Sequence, residues 1–170
     1  MPKIVDHEQR RTEIIYALWQ VIYEQGIHAA SYQAVARAAG ISVGRIQHYF
    51  ASKQDLVRAG CQTIVDTAES VHFERTEALR LGISVWYAYL ARATADPQIR
   101  EILTKASRGT LDYAAHLLEQ AGAPAQEAGR LIALSNGLAQ AAMVGAVTVD
   151  EAVRVLHQEV DSLKSLSTRR

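Results

Sequence analysis

A chain of 170 residues that is 49% apolar has ample material for one compact body or two small interdependent ones, which excludes a disordered chain. Its 18 basic and 18 acidic side chains cancel, so it does not coat nucleic acid by bulk charge, and any DNA contact must rest on local placement. A single cysteine, Cys61, excludes an intramolecular disulfide and a cysteine-based zinc site; with no apolar run of membrane length and a charged MPKIVDHEQRR start in place of a signal peptide, a cytoplasmic protein without membrane contact is expected.

The pattern reads as helix throughout, with no strand, no internal repeat and no flexible linker. A first helix opens near Asp6 and carries Ile14, Leu18 and Ile22 at four-residue spacing beside Ile15 and Trp19, until Gly26 ends it. A short helix follows from Tyr32 to Ala39, with Ser31 as N-cap and Gly40 where a left-handed residue is often required. Two residues later Ser42 caps another. Val35, Ala36, Ile46 and Phe50 supply the buried faces; small Ala36 lets the helices approach and Gly40 permits the tight turn, the requirements of a helix-turn-helix. Between the buried positions, Val43, Gly44, Arg45, Gln47, His48 and Tyr49 leave several hydrogen-bonding and phosphate-seeking side chains outside the core, as in a recognition helix. From residue 1 to 58 seven Lys or Arg stand against five acids, a local excess of +2.

Ser52 begins the next helix with Asp55 three residues on, a capping-box arrangement, and Leu56, Ile64 and Val65 continue its apolar face. Further helices are expected over roughly Thr76 to Thr94, Pro97 to Gln120, Pro124 to about Ala146 and Val149 to about Leu166. Proline near two starts, Gly122 after one end and a Thr148 to Glu151 capping box mark them.

The run A-x-x-A-G-I-S-x-G-x-I-x-x-Y-F-x-S-K-x-x-L, from Ala36 to Leu56, resembles the TetR family of bacterial transcriptional regulators, and the resemblance spans about residues 9 to 58. It implies an all-α homodimer. An N-terminal three-helix DNA-binding domain, residues 1–51, would precede a helical ligand-binding and dimerisation domain, residues 52–170. It further implies a second motif helix in the major groove, its counterpart roughly 34 to 36 Å away, and a palindromic double-stranded operator. By position, the resemblance makes Gln33, Val43, Gly44, Arg45 and Gln47 the base-reading candidates, and Ser31, Tyr32, His48, Tyr49 and Lys53 the backbone-positioning ones. Arg45 suits guanine O6 and N7, and Gln33 or Gln47 suits adenine. Tyrosine often stands in the family where this chain has Gln47.

The second half carries no motif of comparable sharpness. Trp86 and Tyr89, with Cys61, Phe73, Tyr113 and His116, are candidates to line an apolar cavity for a small-molecule inducer, although each is also an ordinary core or surface residue by type. Tyr87 and Tyr89 cannot face the same way on one helix. Leu131, Leu134, Leu138 and Ala142, among small residues, and Val153, Leu156 and Val160 on the final helix resemble the dimer-forming pair of the family. Relatives usually carry a further helix where Ser70 to Gly82 leaves little room, so the body is abbreviated or the sequence lacks a segment. No catalytic triad, glycine-rich phosphate loop or metal-ligand pair is present, so no catalytic residue, metal or cofactor is expected. The expected function is a transcriptional regulator, a repressor released from its operator by an unknown inducer; the alternative is a helix-turn-helix protein without a sensing pocket.

Overall fold

The computed structural model describes the backbone of residues 3–68 and 77–167 and the side chains of residues 7–66 and 80–165. All regular structure among them is helical. Eight α-helices follow one another: α1 Lys3–Gln25, α2 Tyr32–Ala39, α3 Val43–Tyr49, α4 Lys53–Ala68, α5 Glu77–Ala93, α6 Pro97–Gln120, α7 Ala128–Met143 and α8 Val149–Ser167. Short 3-10 turns at Ile27–Ala29 and Ala125–Glu127 precede α2 and α7.

The caps stand where the residue types require them. Ser31 Oγ accepts the Ala34 N–H and Ser42 Oγ the Arg45 N–H, both at 3.2 Å. Between them Gly40 takes φ 65°, and the Ile41 N–H reaches back to the Ala36 carbonyl at 3.0 Å, closing the end of α2. At α4 the Ser52 hydroxyl accepts the Asp55 N–H at 3.1 Å and donates to the Asp55 carboxylate at 2.7 Å. Thr148 and Glu151 form the reciprocal box at α8; the Thr148 N–H, then its hydroxyl, hold the Glu151 carboxyl below its ordinary pKa. Two boundaries differ from expectation. Helix α1 begins at Lys3, and the segment after Pro124 opens with a 3-10 turn because Pro124 is extended (ψ 119°), so α7 runs only from Ala128 to Met143.

Packing divides the chain into two compact units, one ending at Thr104 and one beginning at Lys105. The first is organised around α1. Ile14, Ile15, Leu18, Trp19, Val21 and Ile22 are buried with Val35 and Ala36 of α2, Ile46 of α3, Leu56, Val57, Cys61 and Ile64 of α4, Val85 and Tyr89 of α5, and Ile99 and Leu103 of α6. Asp96, 6% exposed, caps α6 by accepting the Gln98 and Ile99 N–H groups, and its carboxylate lies 3.8 Å from the Arg58 guanidinium. Arg100 donates to the Ala93 and Thr94 carbonyls at 3.0 Å, closing the end of α5. The second unit has a small core of Leu118, Ala123, Ala128 and Leu163, with Ala114, Ala115 and Leu131 against it, and a 2.7 Å ion pair from Arg130 on α7 to Glu159 on α8.

At Gly60 three helices meet. A Cβ there would lie 2.5 Å from the Tyr89 hydroxyl and 2.7 Å from Leu18 Cδ2, and the Gly60 carbonyl accepts the Trp19 indole N–H at 3.2 Å. The Tyr89 hydroxyl is buried without a well-formed hydrogen bond among the described residues, and burial, then the neighbouring Cys61, push its pKa up against the opposing effect of the Trp19 indole N–H. Gly60→Ala is therefore expected to cost about 1–3 kcal/mol in urea unfolding through overpacking. Tyr89→Phe, which deletes an unsatisfied polar atom, is expected to be neutral or stabilising. Equal stability of Gly60→Ala and the parent would show that the junction yields freely.

Candidate nucleic-acid interface

Helix α3 is held by one buried residue and offers the rest outward. Ile46 is fully buried, Val43 and Tyr49 are half-buried against the core, and Gly44, Arg45, Gln47 and His48 are exposed. Its C-terminal end is pinned from two sides. The Tyr32 hydroxyl donates to the Phe50 carbonyl at 2.8 Å, and the Arg11 guanidinium sits 5.1 Å from the centroid of the buried Phe50 ring. Arg11 thus adds a cation–π contact behind the motif. Gln33 lies exposed on α2, Ser31 is half-buried in its cap, and Lys53 is exposed at the start of α4.

The ten DNA-contact candidates therefore fall on α2, α3 and the first turn of α4, with two kinds of geometry. Gln33, Arg45, Gln47, His48 and Lys53 are exposed, whereas Tyr32 is committed to the Phe50 carbonyl and holds the end of α3 in place. Burial, then the Asp55 charge, raise the Tyr32 pKa, so it stays a neutral donor. A Cβ at Gly44 would meet nothing within 4 Å, leaving open space on the outer side of α3.

One neighbour of α3 escaped the sequence reading. His7, on the opening turns of α1, packs its ring 4.6 Å from that of Tyr49 and 6.2 Å from that of His48. Forty-one positions separate His7 from His48, and no local pattern links them. Asp96 was missed as well, although an acid just before Pro97 is a recognisable cap signal.

The described ligand candidates differ in their surroundings. Cys61 and Tyr89 are fully buried in the first core, Trp86 is half-buried against it, and Tyr113 and His116 lie exposed in the second unit, Tyr113 at 64%. Phe73 lies outside the described residues, as does most of the abbreviated stretch after α4. Burial, then the Asp96 charge, push the Cys61 thiol up to about 12, leaving it unreactive. A shallow cleft of about 160 Å³ is walled by Ile27, His28, Lys53, Gln54, Val57, Arg92 and Asp96, none of them ligand candidates. It is smaller than the roughly 300–1,000 Å³ usual for small-molecule sites.

Residues 14–59 match the profile of the bacterial regulatory proteins of the tetR family, and residues 57–164 that of the C-terminal part of BetI-type transcriptional repressors. The chain belongs to the TetR family. It is similar to the HTH-type transcriptional regulator PksA of Bacillus subtilis, 31% identical over 198 aligned positions that cover 99% of this chain and 97% of PksA. Those positions outnumber the 170 residues here, so PksA carries segments that this chain lacks. In fold it resembles a transcriptional regulator from Rhodococcus (TM-score 0.79, 24% identity, 90% of this chain and 95% of that one). A regulator from Saccharomonospora viridis in complex with choline is also similar (TM-score 0.77, 22% identity, 91% and 96%). The expected role as a ligand-responsive, DNA-binding transcriptional regulator accords with this membership, and no helix among the described residues is long and apolar enough to cross a membrane.

Arg45→Ala is expected to cost on the order of 1 to 3 kcal/mol of discrimination between operator and unrelated duplex in fluorescence anisotropy. Unchanged affinity and sequence preference would refute base reading by Arg45. Lys53→Ala should instead weaken all sequences alike and reduce the dependence of log affinity on log salt by about one phosphate contact.

Proposed function

We propose that this protein is a homodimeric repressor that holds a palindromic operator through two copies of α3 and leaves it when a small organic inducer binds the helical body. The observation that carries the reading is a capped α3 with Arg45, Gln47 and His48 turned to solvent, in a chain whose two halves both match families of regulators. In this reading residues 1–51 bind DNA, residues 52–170 sense and dimerise, and the protein acts in the cytoplasm, where bacterial DNA lies.

Support for the dimer comes from apolar surface left open on α7 and α8. Leu131, Leu134, Leu138, Ala142, Leu156 and Val160 are only half-buried and Val153 is 43% exposed, while four buried residues make up the core of the unit they belong to. A second copy related by a two-fold axis would cover that face, at about 25 cal/mol for each Å² removed from water. Ala133, Gly137 and Ala141 on α7 permit close helix approach.

An inducer acts only through its different affinity for the DNA-competent and released arrangements. Choline, bound by the S. viridis regulator, makes a quaternary amine the first compound to assay. Trp86 offers an aromatic face of the kind that holds such groups. A second reading is DNA binding without a sensing pocket.

Selection of bound duplexes from a random pool is expected to yield a palindrome whose half-sites lie one helical turn apart, and light scattering should give twice the 18.7 kDa of the chain. A monomer at micromolar concentration, or no enriched sequence, would overturn the proposal. Release by choline separates the two readings, and release by none of a panel of organic cations would favour the one without a pocket.

A further inference from the structure

Beside α3, two imidazoles from distant parts of the chain meet over a single tyrosine. His7 of α1 tilts against the Tyr49 ring at 41° with centroids 4.6 Å apart, His48 stands edge-on to the same ring at 5.3 Å, and the two imidazoles are 6.2 Å apart. Both histidines are exposed. Their charged surroundings come from two elements. On α1, the Glu8 carboxylate lies 3.9 Å from His7 Nδ1, while Arg10 and Arg11 follow one turn on, Arg10 tied to Glu13 and Arg11 over Phe50. On α3, exposed Arg45 lies one turn before His48.

We propose that His7 is a further DNA-contact residue, and that with His48 it forms a two-histidine phosphate clamp whose protonation is coupled to operator binding. This rests on the DNA-binding reading of α3. Imidazole is the side chain whose ordinary titration falls between pH 5 and 8. Protonating both rings would set two like charges 6.2 Å apart, and among the described residues Arg45 and Arg11 are further cations nearby while Glu8 is the acid beside them. A phosphodiester brought against the pair supplies the missing counter-charge, so the bound state holds the protons more firmly than the free one. Protonation keeps the stack, because the Tyr49 face also attracts a cation. The sign follows from linkage. The complex binds more protons than the free protein, so affinity rises as pH falls, by up to about tenfold per pH unit for each proton taken up. A protonated pair also displaces counterions, steepening the salt dependence at low pH by about 0.9 in log–log slope per added phosphate contact.

The test measures affinity for a duplex enriched from a random pool, and for a mixed-sequence duplex of equal length, from about pH 8 to about pH 6. Calorimetry in buffers of different ionisation enthalpy counts the protons taken up. The wild type is expected to bind both duplexes more tightly at low pH with net proton uptake. His7→Gln and His48→Gln should each flatten the profile, and His28→Gln, which alters a histidine away from α3, should keep the wild-type slope. His7→Lys, cationic throughout, should bind at high pH at least as tightly as the wild type and with a flatter profile, separating charge from stacking. Binding without proton uptake, or a His7→Gln slope equal to that of the wild type, overturns the clamp while leaving DNA binding intact. Binding to neither duplex at any pH overturns the DNA-binding reading, and the clamp with it.

Discussion

Gly60 is where α1, α4 and α5 come closer together than side chains normally allow. Among the described residues it is the glycine at which a Cβ would collide with its surroundings, and those surroundings are the Tyr89 hydroxyl, Leu18 and Trp19. Because α1 also packs on α2 and lies behind α3, the same helix that meets Tyr89 at this junction supports the outward-facing recognition surface. A displacement of α5 therefore meets α4 and α1 through tightly packed atoms, which transmit strain in a way a loose contact would not.

The recognition surface is built economically. A neutral chain has no diffuse positive field to draw on, so its affinity for DNA must come from a few cations and hydrogen-bonding groups held in fixed register. That register depends on groups that do not themselves extend outward: Ile46 anchors the middle of α3, Ser42 caps its start, and Tyr32 and Arg11 fasten its end.

The second unit has a different economy. A core cluster of four buried residues among those described is small for a helical body, and the α7 and α8 faces carry apolar side chains still reached by solvent. Small residues on α7 lower the cost of bringing another helix close while contributing little burial themselves. Such a surface is better suited to association than to standing alone.

Most of the fold was legible in the residues because its signals are local. Caps at Ser31, Ser42, Ser52 and Thr148, the left-handed turn at Gly40 and the four-residue stripe of α1 each act within a turn or two, so they determined the helices, the motif and the family without reference to the rest of the chain. The contact of His7 with Tyr49, the Arg58–Asp96 pair and the crowding of Gly60 by Tyr89 join residues 29 to 42 positions apart or belong to different helices, and no periodicity announces them. Aromatic residues in the body illustrate the same limit: composition nominated Trp86, Tyr89 and Tyr113 alike, yet packing buried Tyr89, half-buried Trp86 and left Tyr113 exposed. Sequence alone determined which segments become helices and which face of α3 carries polar chemistry, since hydrogen bonding along the chain decides both. Which side chains meet across helices was decided only by tertiary packing, because close contact depends on the volume and direction of neighbours distant in the chain.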